Sequence, residues 1–215
     1  MKKRNLFASV AAVAALIGAG MVTSTVVAAP DKSTEAKSEG VKLGQKAPDF
    51  KLKDTTGKEF SLSQLTADGK IVVLEWFNSE CPFCVKHGEA KTMVNMVNQF
   101  KDKNVVVLGI NSGAPGKQGH GKDAAAIKNW GLNYPILNDE TGAVGRLYGA
   151  KTTPHMFIIQ KDGTIGYMGA IDNEPGARKV SETAKNFVTQ ALNEILAGQT
   201  VSTPETKPYG CSVKY

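Results

Sequence analysis

The sequence predicts an α/β domain, a central mixed β-sheet with helices on both faces. Strand-like and helix-like apolar patterns alternate through the middle of the chain. The strongest strand, Ile71-Val-Val-Leu-Glu-Trp-Phe77, is an almost continuous apolar run of the kind buried on both faces of a sheet. A hairpin and an amphipathic helix then close the chain, an order that fits a sheet covered on two sides.

The elements follow in order. Residues 1–29 combine a basic start (Lys2, Lys3, Arg4), an apolar run from Leu6 to Val22 and a small-residue exit ending Val27-Ala28-Ala29, the layout of a secretory signal peptide. The apolar run is slightly short for a membrane span of roughly 20 residues, and no cysteine follows it to accept a lipid. Cleavage is expected after Ala28 or Ala29. The chain is therefore expected to be exported, periplasmic or extracellular, without stable membrane insertion. Residues 30–41 are a polar, flexible leader. A single domain is expected over 42–200, followed by a C-terminal tail, 201–215.

Within the domain, Lys51 to Asp54 alternates as a strand, with Phe60 and Leu62 in its hairpin partner. Val105 to Ile110 is a second buried strand. A glycine-rich loop from Asn111 to Gly121 leads to a helix over Asp123 to Trp130 and a strand over Tyr134 to Leu137. A short helix ends at Tyr148. His155 to Gln160 and Thr164 to Ala170 pair through the Lys161-Asp-Gly163 turn, and the last helix spans about Ala177 to Leu196.

The net charge of the 215 residues is +6. Loss of residues 1–29 removes three bases and no acid, leaving +3, too little and too interspersed for a nucleic-acid partner. Three cysteines are an odd number for an oxidising compartment. A Cys81–Cys84 bond would close a very small loop and stabilise little, so the pair points to chemistry.

That chemistry follows from position. Ala90, Met93, Val94, Val97 and Phe100 recur at helical spacing after the cysteines, so one helix is expected to begin at the dithiol. Cys81 at its N-terminus would meet unpaired N–H groups and the positive end of the macrodipole, which favour a thiolate. Cys81 is thus the attacking sulfur, and Cys84, one turn in and less exposed, displaces the mixed disulfide. Glu75, buried on the strand beneath, is placed to accept the proton of Cys84.

His87 is expected on an exposed helix face and His120 in solvent, while His155 lies at a strand start beside the site. No metal is expected: a zinc site would need a fourth ligand, and haem attachment a histidine where Val85 stands. Cys211 has two readings, an incidental thiol in a mobile tail or a third redox cysteine that resolves a bond at Cys81 or links two chains.

These residues resemble the thioredoxin-like redoxins, a group that spans alkyl-hydroperoxide-reductase-like and cytochrome-maturation-like members. The matching segments are Gly44-Gln-Lys-Ala-Pro-Asp-Phe50, Trp76-Phe77, Cys81-Pro-Phe-Cys84, Tyr148-Gly149 and Thr153-Pro154. The resemblance implies a thioredoxin-like fold, no cofactor, protein thiols and disulfides as substrates, and an upstream redox partner protein. It also implies a carboxylate at Glu75 that assists the buried cysteine, and a cis proline at Pro154 that, with Thr153, holds the substrate backbone beside Cys81.

A closer resemblance is to a peroxiredoxin-like branch, through Asp139-Glu-Thr-Gly142, Tyr148 to Pro154 and Gly210-Cys-Ser-Val-Lys-Tyr215. The peroxidatic loop of true peroxiredoxins is not matched, because its Pro and Thr positions are Leu74 and Asn78 and its arginine falls near Thr153. Thiol–disulfide exchange is the leading expectation. A thiol peroxidase and a copper-carrying binding module are the alternatives.

Overall fold

The computed structural model describes residues 40–215, so the signal-peptide expectation and nearly all of the leader lie outside the described residues. Among these residues no helix is long and apolar enough to cross a membrane. The strands of the main sheet are β1 (Lys51–Asp54), β2 (Glu59–Ser61), β3 (Ile71–Trp76), β4 (Val105–Asn111), β5 (Ile136–Asn138), β7 (His155–Ile159) and β8 (Ile165–Gly169). They pair in the order β2-β1-β5-β4-β3-β7-β8. β3 and β4, and β4 and β5, run parallel; the remaining neighbours are antiparallel. The short strand β6 (Thr152–Thr153) pairs separately with β9 (Cys211–Ser212).

Alternation along β3 sorts the core, since successive strand side chains point to opposite faces. Ile71, Val73 and Phe77 pack with Met93, Met96 and Phe100 of α3 (Thr92–Phe100), Ala126 of α4 (Asp123–Trp130) and Val188, Ala191 and Leu192 of α6 (Phe187–Leu196). Val72, Leu74 and Trp76 pack on the other face with Leu62 of α1 (Leu62–Ala67) and Val144 and Tyr148 of α5 (Ala143–Tyr148). Helices therefore cover both faces, as the sequence predicts. Residue 75 falls by the same alternation on the α3 face.

Three expected elements differ. Leu62 is not in a strand: Ser61 caps α1 by accepting from the N–H of Gln64, and Leu62 turns into the core. The helix expected to run on from the cysteines is two, α2 (Pro82–Glu89) and α3, separated where Lys91 takes the left-handed conformation (φ 56°) and its ammonium reaches the carbonyl of Trp130. The last helix starts at Phe187 rather than Ala177. Asn186 caps it by accepting from Thr189 N at 2.8 Å, while Glu174 ties back Ser181 and holds the preceding residues in an irregular loop.

The Asp139-Glu-Thr-Gly142 turn has a structural reason. Asp139, 3 % exposed, accepts from Val144 N (3.2 Å), Gly145 N (2.8 Å) and Ser112 Oγ (2.6 Å), and Ser112 in turn accepts from the indole N–H of Trp76 (3.1 Å). One carboxylate thus satisfies the start of α5 and links it to β3 and β4. Asp139→Ala is expected to destabilise the fold by about 3 kcal/mol, because each buried donor left unpaired costs about 1–3 kcal/mol. A lowered urea midpoint is the measurement.

Candidate active site

The site is built at the end of β3. After Trp76 the chain leaves the sheet through Phe77 and Asn78, and Cys81 becomes the N-cap of α2 with Pro82 in the first turn. Proline suits that place, since its missing N–H would have no helical partner there. The loop is held from outside. Asn78 accepts from Glu80 N (2.9 Å) and donates to Gln118 O (3.2 Å), and Glu80 accepts from Gly119 N (2.7 Å) and Lys122 (2.5 Å). Gly119 (φ +83°) is required, because a Cβ there would stand 2.1 Å from Asn78 Oδ1. The glycine-rich loop thus braces the cysteine turn.

All three cysteines are free thiols. Cys81 is shifted far down, to about 4: the hydrogen bond from the Cys84 thiol is the largest cause, burial opposes it, and the Cys211 thiol adds a second donor. Cys84 is pushed well above 9.0, chiefly by burial and then by its bond to Cys81 and the charge of Glu75. The two sulfurs therefore differ in kind: one is ionised at neutral pH, the other protonated. Cys81 Sγ also meets the Thr153 carbonyl oxygen at 2.9 Å, a contact that suits the protonated thiol. Ionisation accordingly turns on the two thiol donors.

Glu75 is 2 % exposed, and burial raises it to about 7 against the opposing hydrogen bond from Tyr134 Oη to Oε2 (2.9 Å). Glu75, Cys84 and Tyr134 share the wall of a cavity of about 10 Å³. Tyr134 was not singled out from the sequence. A lone tyrosine before a short strand carries no local signal of its partner 59 residues away.

The Thr153–Pro154 bond is cis and lies beside Cys81. The tail occupies the edge that Thr153 offers. Cys211 pairs with Thr153 across β6 and β9, and its Sγ lies 2.8 Å from Cys81 Sγ. Cys81 is consequently 0 % exposed, not the open sulfur that a helix terminus suggests, and the tail is docked rather than mobile.

His87 corrects another expectation. It is 2 % exposed, turned inward between Thr92 Oγ1 (3.1 Å from Nδ1) and Tyr209 Oη (3.0 Å from Nε2), and burial lowers it to about 4. Tyr209 also bonds Asp172, and Lys86 donates to Glu174 O (2.7 Å) and to Tyr209 Oη (3.3 Å). His155 is buried as well, with Nδ1 accepting from Lys151 N (3.3 Å), and burial lowers it to about 3. His120 stays partly exposed beside Glu140 (3.2 Å). Among the described residues no three His, Cys, Asp or Glu side chains gather as a metal site.

Similarity to known proteins agrees with this arrangement. ResA, a thiol-disulfide oxidoreductase of Bacillus subtilis (strain 168), is 32% identical over 130 residues, which cover 60% of this chain and 68% of that protein. A putative peroxiredoxin, bcp, of Helicobacter pylori (strain J99) is 36% identical over 140 residues, covering 62% of this chain and 87% of that one. The crystal structure of a hypothetical protein from Sinorhizobium meliloti 1021 superposes with a TM-score of 0.69 at 26% identity, over 82% of this chain and 96% of that chain. Residues 43–168, more than half of the chain, match the AhpC/TSA family, and to that family, within the thioredoxin-like redoxins, the chain belongs.

Proposed function

We propose that this chain is a thiol–disulfide oxidoreductase acting on exported proteins, with Cys81 as nucleophile, Cys84 as the resolving thiol and Glu75 as the acceptor of its proton. The observation that carries this reading is the opposite displacement of the two cysteines, Cys81 down to about 4 and Cys84 well above 9.0, over a carboxyl raised to about 7. An ionised Cys81 attacks a substrate disulfide without prior proton transfer. Cys84 must then lose its proton before it can attack the Cys81 mixed disulfide. Glu75, half ionised near neutral pH, is matched to that transfer, and the space of about 10 Å³ that it lines with Cys84 is about the size that one bridging water would need.

Thr153 and Pro154 are proposed to seat the substrate backbone beside Cys81. Residues 1–29 are proposed to be a signal peptide that directs the chain out of the cytoplasm, where an upstream redox protein resets the dithiol. The peroxidase alternative is favoured by the 36% identity to the putative peroxiredoxin and opposed by Leu74 and Asn78, which build core and loop rather than a peroxide site.

The test is to follow residues 30–215 in a glutathione redox buffer and with a protein disulfide substrate, in parallel with peroxide and a thiol donor. The expected result is a two-electron thiol–disulfide transition and turnover of the protein disulfide. Peroxide consumption that outpaces disulfide exchange would overturn the assignment.

A further inference from the structure

We propose that residues 209–213 are a tethered substrate: they occupy the strand position beside Cys81 that a partner protein's backbone would take, and Cys211 accepts the disulfide of Cys81–Cys84 as a Cys81–Cys211 bond. This rests on the oxidoreductase reading above and adds a third member to the exchange.

The docking is specific along the whole segment. Upstream, Thr206 N donates to Met168 O (3.1 Å) and Met168 N to Pro204 O (3.0 Å), so the tail lies along the outer edge of β8. Tyr209 is then plugged into the polar cluster behind α2, between His87, Asp172 and Lys86, with its ring 5.9 Å from that of Phe83 between the two cysteines. A neutral His87 protonated on Nε2 satisfies this arrangement, donating to Tyr209 and accepting from Thr92. Downstream, Val213 N donates to Lys151 O (3.3 Å) and Ala114 N to Lys214 O (2.8 Å). Tyr215 donates to Ala150 O (2.9 Å) under the guanidinium of Arg146. Cys211 is thus clamped on both sides.

Between the clamps the chain is shaped to bring one sulfur to another. Gly210 has φ +140°, and a Cβ there would stand 2.1 Å from Thr153 O, so only glycine lets the strand approach this closely. Antiparallel pairing of Cys211 with Thr153 leaves 2.8 Å between the Cys81 and Cys211 sulfurs. A disulfide at about 2.05 Å needs them to close by less than 1 Å.

The exchange balances without any further oxidant. In the oxidised chain the Cys211 thiolate attacks Cys81 Sγ; the Cys81–Cys84 bond breaks, the Cys81–Cys211 bond forms, and the Cys84 sulfur leaves with the electron pair and takes a proton. One disulfide replaces another. The Cys211 proton goes to solvent before attack. An external substrate gains access only when residues 210–213 leave the edge of β6.

The experiment uses residues 30–215 carrying Cys84→Ser, alone and combined with Cys211→Ser or Gly210→Ala, treated with oxidised glutathione and followed by mass spectrometry and peptide mapping. Cys84→Ser is expected to end as an intramolecular Cys81–Cys211 disulfide, with a rate independent of chain concentration. Adding Cys211→Ser leaves a persistent Cys81–glutathione adduct. Adding Gly210→Ala keeps the thiol but unseats the strand, and closure slows by about tenfold or more, since positioned groups react far faster than merely tethered ones.

A lasting glutathione adduct on Cys81 with a free Cys211 in the Cys84→Ser chain overturns the proposal while leaving the oxidoreductase reading intact. Equal closure rates with and without Gly210→Ala overturn it too. Failure of Cys81 to react even with the strand unseated overturns both.

Discussion

Cys81→Ser is expected to reduce protein disulfide exchange to the level of buffer, and the Cys84→Ser/Cys211→Ser variant to accumulate mixed disulfides instead of turning over. At pH 7 a thiol at about 4 is essentially all thiolate. Cys84 lies well above 9.0 and is sealed in the core at 2 % exposure. Cys211 is raised to about 11, first by burial and then by Cys81 itself; loss of Cys81 removes the second contribution but leaves the burial, so no sulfur with a lowered pKa remains to attack. In the double variant serine hydroxyls at 84 and 211 and the backbone N–H of residue 84 can still donate to the Cys81 thiolate, so attack persists, but both sulfurs that stand against Cys81 are gone, so release stops. Non-reducing electrophoresis with a disulfide-containing partner separates the two outcomes. Equal trapping by the Cys81→Ser chain would reverse the roles.

Glu75→Gln is expected to slow release and to stabilise the fold, each in a manner that depends on pH. Release of the mixed disulfide at pH 7 should fall by about 10²-fold, the lower end of what a positioned acid–base group contributes. First attack, by an already ionised Cys81, should be unchanged. The stability effect follows from the raised carboxyl: its folded value is about 7 against 4.5. The buried group prefers its proton, so its contribution to stability is full below pH 4.5 and is lost as pH rises through 7.

That loss amounts to about 3 kcal/mol by pH 8, at 1.36 kcal/mol per unit. Glutamine does not ionise. The variant should therefore gain about 3 kcal/mol on wild type between pH 4 and pH 8. Asp123, raised to about 6, and the lowered His87 and His155 also bend the wild-type curve, but they are common to both chains and cancel in the difference. Parallel stability curves, or equal slowing of attack and release, would count against Glu75 as the proton acceptor.

Much of the scaffold is legible in the sequence because it depends on short-range pattern. The apolar run 71–77 has the pattern of a strand buried on both faces, and it is one. A cysteine followed by proline after such a strand opens a helix, and the apolar neighbours of Glu75 favour its burial over a surface-facing place, which the structure bears out. The DG turn at 162–163 joins two strands as its chemistry requires. Each of these follows from residues close together in the chain.

What only the tertiary structure decides is which distant groups meet. Lys91 has no breaker beside it, yet it divides α2 from α3. The helical spacing of Val180 and Ala184 is overruled by the cap at Asn186, nine residues beyond Ala177, where the pattern begins. His87 is drawn inward by Tyr209, 122 residues away, and Cys211 is set against Cys81 across 130. Periodicity and propensity act over a few residues. Such meetings instead depend on the shape of the folded surface and on buried polar groups finding partners, and here that placed the tail over the sulfur that a helix terminus alone would leave open.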